Sequence, residues 1–416
     1  MITHIINSSC RLCNSYKINN VFNLKPTPPA NSFRKHTSII NKKYPLNIFL
    51  CLNCKHLQLV DIINPKILFL NYLYSSGASK VYIKHLKDYA NDVINKYELN
   101  NSKDLICDIA SNDGTFLKFF KLKGFKVLGV EPAKNLAKIA KNKGIKTKNN
   151  FFDINFINLN KKLIKTFKII TANHVFAHLK YINDFVLAVN KLLKDDGIFI
   201  FEVGYLIDIL EKKYFDTIYH EHLDFHHLQP LIKFFKKFKM TIIDVQRNNT
   251  QGGSIRVHVV KNCSKLIKLK SNNIEKLINL EKHKKLSMVK TYKFFFQNIE
   301  KQKNNFLKLL QSKKLKNRII VGYGAAAKAT TLLSYYEMPE NIIKIIIDDS
   351  KIKENYYMPG YDIQIKRFNY LKKINFDYVI IFAWNFSEII IEKLKTVRSK
   401  NFKIILLFPV VKIISI

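Results

Sequence analysis

Apolar positions recur along the chain in two rhythms. Between residues 104 and 203, four short apolar runs, DLICDIA, KVLGVEP, FKIITANHVF and GIFIFEV, are separated by lysine-rich amphipathic stretches. Compact apolar runs read as buried strands, and three- and four-residue spacing between them reads as helix. Alternation of the two predicts a parallel sheet covered by helices on both faces. TIIDVQR and GSIRVHVV follow with no long helix between them and predict a closing hairpin of the same sheet. Ahead of this unit, VYIKHLKDYANDVINKY has the spacing of an amphipathic helix leading into it. Residues 264–315 contain neither glycine nor proline and carry periodic Leu, Ile and Phe, which predicts one or two connecting helices. From Asn317 the alternation resumes as RIIVGYGAAAK, IIKIIIDDS, FDYVIIFAW and FKIILLFPV, enough for a second, smaller α/β domain. The last apolar stretch, KIILLFPVVKIISI, is broken by lysine and proline and is shorter than the roughly 20 residues of a membrane helix. It predicts one buried terminal strand and no membrane span.

Residues 1–70 lack such rhythm and hold a proline cluster, Pro26, Pro28 and Pro29. The expected organisation is therefore an α/β chain in four parts: an irregular, metal-clipped module over 1–70, a Rossmann-like domain over 71–263, a helical connector over 264–315 and a C-terminal α/β domain over 316–416. With 416 residues, 47% of them hydrophobic, the chain has apolar side chains enough for several cores.

The formal net charge of +39 first suggests a polyanion such as nucleic acid. Only seven of the 70 basic residues are arginine, however, and the lysines are spread over the whole chain. Phosphate-binding footprints cluster, so a lysine-for-arginine bias at solvated positions explains the charge better, and no nucleic-acid partner is expected. The first residues, MITHIINSSCRLC, have no basic segment followed by an apolar run and a small-residue cleavage site, so a cytoplasmic protein is expected. Oligomeric state has no signal in the sequence.

Four of the six cysteines form two C-x-x-C pairs, Cys10 with Cys13 and Cys51 with Cys54, with 37 residues between Cys13 and Cys51. Four thiolates fill a tetrahedral Zn²⁺ and leave no open position, so the ion is expected to be structural. Cys107 and Cys263 stand alone in apolar contexts and are expected in the core.

LICDIASNDGTFLKFF has the form of a strand, a polar loop and a helix. A ligand in a doubly wound sheet sits beyond the carboxyl end of such a strand, which makes Asp108, Asn112, Asp113 and Gly114 the candidate cofactor edge. Glu131 ends the next strand, 23 residues past Asp108, where a carboxylate can accept hydrogen bonds from both ribose hydroxyls. SNDG lacks the G-x-G-x-x-G that seats a pyrophosphate, and an acidic loop with one glycine suits a cationic sulfonium such as S-adenosylmethionine better. Asn173 lies just past a later strand and faces the same crevice. His174 and His178 beside it read as surface or packing histidines.

YFDTIYHEHLDFHHL gathers Tyr219, His220, Glu221, His222, His226 and His227 within nine positions. Histidine takes and gives protons near neutrality, and tyrosine and glutamate can orient it or stabilise developing charge. Acid–base chemistry is the favoured reading, with a second metal site on His220 and His222 as its rival.

Taken in order, CRLCNS, PPANSF, CLNCKHLQL, LYSSGAS, DIASNDGTF with GVEP, FEVGYL, FDTIYHEHL, GGSIRVHV, GYGAAAKATTLL, IIDDS and MPG cover nearly the whole chain. So ordered, the sequence resembles the S-adenosylmethionine-dependent sugar C-methyltransferases that act on nucleotide-linked 4-keto deoxysugars. The resemblance implies an N-terminal zinc module with four cysteine ligands, a class I methyltransferase domain and a Rossmann-like domain that helps hold the nucleotide sugar. By position it places the catalytic base on His222, with Tyr219 and Glu221 as companions and a further tyrosine on Tyr74. The chain departs from the family pattern at Asp224, Phe225 and His226, where the sugar is expected to lie. The implied reaction removes a proton from the carbon next to the C4 ketone and transfers methyl to that carbon. Whether C3 bears an amino or a hydroxyl group, and which nucleotide is attached, stays open.

Two other functions compete. Gly322-x-Gly324-x-x-Ala327, followed by Asp348 and Asp349, approaches a dinucleotide fingerprint and would suit a nicotinamide oxidoreductase. Lys328 in that loop suits sugar-nucleotide phosphates as well and is the candidate substrate-binding residue. The cysteine pairs with the high charge would suit a zinc-ribbon nucleic-acid methyltransferase.

Overall fold

The computed structural model describes residues 3–70, 72–339, 341–397 and 401–415. The N-terminal part is more regular than its sequence suggests. It holds β1 (His4–Ile6), β2 (Ile18–Thr27), β3 (Tyr44–Cys51), β4 (Leu57–Leu59) and β5 (Asp61–Ile63). β1 pairs with β5, while β2, β3 and β4 form an antiparallel sheet with β3 in the middle. β3, YPLNIFLC, buries Leu46, Ile48 and Leu50 completely, the period-two alternation of a strand with one covered face.

The middle sheet has seven strands: β6 (Leu105–Ile109), β7 (Lys126–Val130), β8 (Thr147–Lys148), β9 (Phe167–Asn173), β10 (Leu193–Gly204), β12 (Met240–Asn248) and β13 (Ser254–Lys261). The spatial order is β12-β13-β10-β9-β6-β7-β8. β6 to β10 run parallel, and β13 and β12 close the sheet as the expected antiparallel hairpin. All eight residues of β13 are buried, as a strand covered on both faces requires. The expected helix spans Lys80–Lys96, starts on the Ser79 side chain, which accepts from Tyr82 N, and buries Tyr82, Leu86, Tyr89, Ala90 and Val93 on one face.

β11 (Asp224–Phe225) leaves this domain and pairs with β4, adding a fourth strand to the N-terminal sheet. The histidine-rich stretch is thereby fastened to the cysteine module.

Helices at Asn273–His283 and Val289–Gln311 make the connector. The last sheet contains β14 (Ile320–Tyr323), β15 (Ile343–Ile347), β16 (Gln364–Lys366), β17 (Tyr378–Ile381), β18 (Lys403–Leu406) and β19 (Lys412–Ser415), ordered β16-β15-β14-β17-β18-β19. Five strands run parallel. The single terminal strand expected from KIILLFPVVKIISI is instead a hairpin: residues 407–411 turn the chain, and β19 returns antiparallel to β18 with Lys412 and Ser415 exposed. Proline supplies no backbone donor, so the ladder breaks there. Cys107 is buried as expected, whereas Cys263 is exposed in the turn after β13. Among the described residues no helix is long and apolar enough to cross a membrane.

Candidate active site

The four sulfurs of Cys10, Cys13, Cys51 and Cys54 lie within 4.8 Å of one another. Cys10 Sγ is 3.4 Å from Cys54 Sγ and Cys13 Sγ 3.6 Å from Cys51 Sγ. Zinc–sulfur bonds of about 2.3 Å at tetrahedral angles put sulfurs about 3.8 Å apart, so the cluster fits Zn²⁺. Backbone Cys54 N also donates to Cys51 Sγ at 3.4 Å, a bond that favours a thiolate.

The loop after β6 turns sharply, with Ala110, Asn112 and Gly114 at φ of 51°, 54° and 76°. A side chain at Gly114 would press on Ile145 as well as strain this backbone. Glu131, at the end of β7, accepts from Asn112 N at 2.8 Å and Ala133 N at 2.7 Å. These bonds aim its carboxylate, and burial raises its pKa to about 7. Asp108 is buried too, accepts from Thr171 Oγ1 at 2.6 Å, and is likewise raised to about 7 by burial. Asp113 is engaged by Ser75 Oγ at 2.8 Å, Gly77 N at 3.1 Å and Lys143 Nζ at 2.9 Å. It ties residues 75–77 to the loop. Both side-chain polar atoms of Asn173, at the end of β9, are buried without a hydrogen-bond partner among the described residues. An amide so placed beside the acidic loop fits the polar ends of S-adenosylmethionine.

His222 Nδ1 lies 2.6 Å from the Thr217 carbonyl oxygen, which only an N–H can satisfy. That contact puts the ring proton on Nδ1 and leaves Nε2 with a lone pair. The His222 ring packs on Tyr219, with centroids 4.1 Å apart, and stacks on His178 at 5.0 Å. Burial, with the Lys328 charge adding, depresses the His222 pKa to about 3, so the imidazole is neutral at physiological pH. Tyr219 is held well above its ordinary pKa by burial and the Glu221 charge, and stays a phenol able to donate. Glu221 accepts from Asn31 Nδ2 at 2.6 Å and Tyr72 OH at 3.1 Å. Burial raises it to about 7. Tyr74 is 38% exposed and receives a weak 3.5 Å bond from Gln251.

Two other histidines of the stretch, His220 and His226, have structural partners. His220 Nε2 faces the Tyr44 and Pro45 carbonyls, and His226 Nε2 the Phe176 carbonyl, so a metal pair of His220 and His222 is not formed. The departures at Asp224, Phe225 and His226 are all buried. Asp224 Oδ1 is buried between Arg11 Nε and His56 Nε2, each at 2.9 Å, and His226 packs on His56 and Phe176. Pairing of Asp224 and Phe225 with β4 fastens this stretch between the module and the middle domain.

The C-terminal domain supplies the remaining wall. Lys328, in the helix Ala327–Tyr335, is buried with Nζ 3.9 Å from the Trp384 ring centre and without a hydrogen-bond partner among the described residues. Asp216 accepts from Trp384 Nε1 at 2.6 Å. Burial brings Lys328 down to about 8 and Asp216 up to about 7. Asp348 and Asp349 are occupied, the first by Ser350 N at 2.9 Å, the second by Tyr323 OH at 3.2 Å. Asn31, Tyr72, Asp216 and Trp384 were not singled out by the sequence, and His178 reads there only as a surface or packing histidine. His178, five residues past Asn173 beyond the same strand, had a positional signal.

A glycine-turned loop after the first strand and a buried carboxylate at the end of the second fit a nucleoside-bearing cofactor such as S-adenosylmethionine. Matches to known families specify the kind: residues 10–69 match the zinc binding domain, 82–244 the methyltransferase domain and 249–409 the C-methyltransferase C-terminal domain. The chain is an S-adenosylmethionine-dependent C-methyltransferase carrying a zinc-binding domain. It is 26% identical to C-methyltransferase NovU of Streptomyces niveus over 98% of this chain and 96% of that protein. Among solved structures it is similar to an S-adenosylmethionine-dependent methyltransferase from Clostridium acetobutylicum, at 18% identity, covering 43% of this chain and 92% of that one, with a TM-score of 0.36. A second is the magnesium protoporphyrin IX methyltransferase of Synechocystis, at 12% identity, covering 44% and 81%, with a TM-score of 0.33. The match over 249–409 includes the Gly322–Ala327 loop and disfavours the oxidoreductase reading. The nucleic-acid reading is likewise not favoured.

Proposed function

We propose that the enzyme methylates the carbon next to the ketone of a nucleotide-linked 4-keto deoxysugar, with His222 as the base. The observation that carries this is the Nδ1 contact to Thr217 O, which leaves Nε2 open in a neutral ring. In this reading Nε2 takes the proton from C3, and the C–H electron pair becomes an enolate. Tyr219 and Tyr74 donate to the enolate oxygen, and Glu221 holds Tyr72 and the turn in place. Asp108, Asn112, Asp113, Gly114, Glu131 and Asn173 form the cofactor edge, where bound S-adenosylmethionine supplies a sulfonium methyl for the nucleophilic carbon. Lys328 faces the substrate's anionic part. The division of labour is residues 1–70 for zinc, 71–263 for the cofactor, 264–315 as connector and 316–416 for the sugar nucleotide. Cytoplasmic location goes with such a substrate.

Replacing His222 with asparagine tests the reading. Both ligands should bind, turnover should fall by about 10²–10⁴, and exchange of the C3 proton with solvent deuterium should fall with it. Methylation near the parental rate, or a product methylated on oxygen or nitrogen, overturns it.

A further inference from the structure

The turn bearing His222 is not held by its own domain alone. On one side, Glu221 accepts from Asn31, in the proline-rich loop between β2 and β3, at 2.6 Å. On the other, Asp224 is gripped by Arg11 and His56 of the cysteine module, each at 2.9 Å. Between these anchors Leu59 N donates to Leu223 O at 2.9 Å, and His220 Nε2 faces the Tyr44 and Pro45 carbonyls. Asp224 and His56 are both fully buried, so this second anchor has no water to exchange with.

We propose that the zinc module is a positioning element of the active site, with Asn31 and His56 as positioning residues that hold His222 in register with its Thr217 contact. This rests on reading His222 as the base. Registration matters because displacement of a reacting group by about 1 Å costs about a hundredfold in rate. A module that only stabilised the fold would need neither a strand shared with the catalytic stretch nor a side-chain contact on each side of the base.

The experiment uses the full-length zinc-loaded protein labelled with ¹⁵N-histidine, with the His222 signals assigned from His222→Asn. The parent should show the Nδ1–H tautomer. Asn31→Ala should show a mixed tautomer with zinc content, melting temperature and S-adenosylmethionine affinity unchanged; His56→Leu should show it with zinc retained but at a lower melting temperature, since the buried Asp224 loses a partner, and His56→Gln, which keeps a donor toward Asp224, should restore the parental spectrum. With a nucleoside-diphosphate-linked 4-keto-6-deoxyhexose as substrate, kcat of the two variants should fall about tenfold to a hundredfold at little change in KM. A parental His222 spectrum in both variants overturns the proposal. So does a change that appears only together with zinc loss, or in Asn31→Ala only with a lower melting temperature. If His222→Asn keeps parental turnover, the base assignment fails instead, and the tautomer reading still decides whether the module positions the ring.

Discussion

Two residues carry opposite uses of burial. Glu131 is pushed up to about 7 by burial but remains an acceptor, since two backbone N–H groups already point at it. If Glu131 takes the proposed role of ribose acceptor, replacing it with alanine removes a hydrogen bond to a charged group worth roughly 1.5–3 kcal/mol and should weaken S-adenosylmethionine binding about tenfold to a hundredfold. Calorimetry showing unchanged affinity would place the ribose acid elsewhere. His222 is displaced the other way, from 6.5 down to about 3. A folded-state pKa below the unfolded one means that the unfolded chain binds the proton more tightly, so this contribution to stability is full above about pH 6.5. It is lost as pH falls from there toward 3. Relative to His222→Asn, which does not titrate, the parent should lose about 1.4 kcal/mol per pH unit below 6.5. Denaturant unfolding of both proteins at neutral pH and at about one unit below 6.5 measures this difference directly; a constant gap would show that the ring titrates normally. The other raised carboxylates and lowered histidines act on both proteins nearly alike; His178, stacked on His222, is lowered first by its own burial and stays neutral in both over this range.

At the scale of elements, the parallel strands β6, β7, β9 and β10 could be read from the chain because each is a compact apolar run bounded by polar loops. β2 could not. Its sequence, INNVFNLKPT, buries only Val21, Leu24 and Thr27, and its asparagines, lysine and proline look like loop. β4 and β11 are shorter still, and their pairing joins residues 57–59 to 224–225, a contact without any local signal. This pairing changes what loss of the metal would do. Cys51→Ser should release zinc, and because structural zinc contributes folding free energy directly, β3 and β4 should lose hydrogen-exchange protection. β11 and the turn before it should lose protection with them, while β6 to β10 keep theirs. Elemental analysis with exchange mass spectrometry checks both halves. Protection retained in β11 after zinc release would mean that the stretch stands on its own.

At the scale of the molecule, the histidine-rich stretch is where three separately encoded parts meet, which is why its sequence shows a histidine cluster but not its partners. Trp384 reaches Asp216 across 168 positions and Asn31 reaches Glu221 across 190, and neither residue type at either place announces such a contact. The motif residues were legible because chemistry restricts their identity; their supports were not, because many side chains can serve and the fold alone selects one. Arg34 is the largest such support between the first and last parts. It is 6% exposed, donates through Nη1 to the Thr37 and Ile39 carbonyls at 3.0 and 2.8 Å, and through Nη2 to Tyr361 O at 2.6 Å and Asp362 at 2.8 Å. Its backbone also forms a two-way bridge with Tyr357. Arg34→Met keeps the bridge and much of the volume but strips the donors from three carbonyls and one carboxylate. Leaving such acceptors unmet costs about 3 kcal/mol, since each costs roughly 1–3 and those near water recover part of it. Because the arginine spans two parts that otherwise meet through contacts such as Thr330 with the Ala30 carbonyl and the edge contact of Phe22 with Tyr335, the loss should fall on their union. Denaturant unfolding should therefore broaden or split into two transitions in the variant, with the zinc module released from the C-terminal domain first. A single transition at the parental midpoint would show that the two parts are held together without the Arg34 side chain.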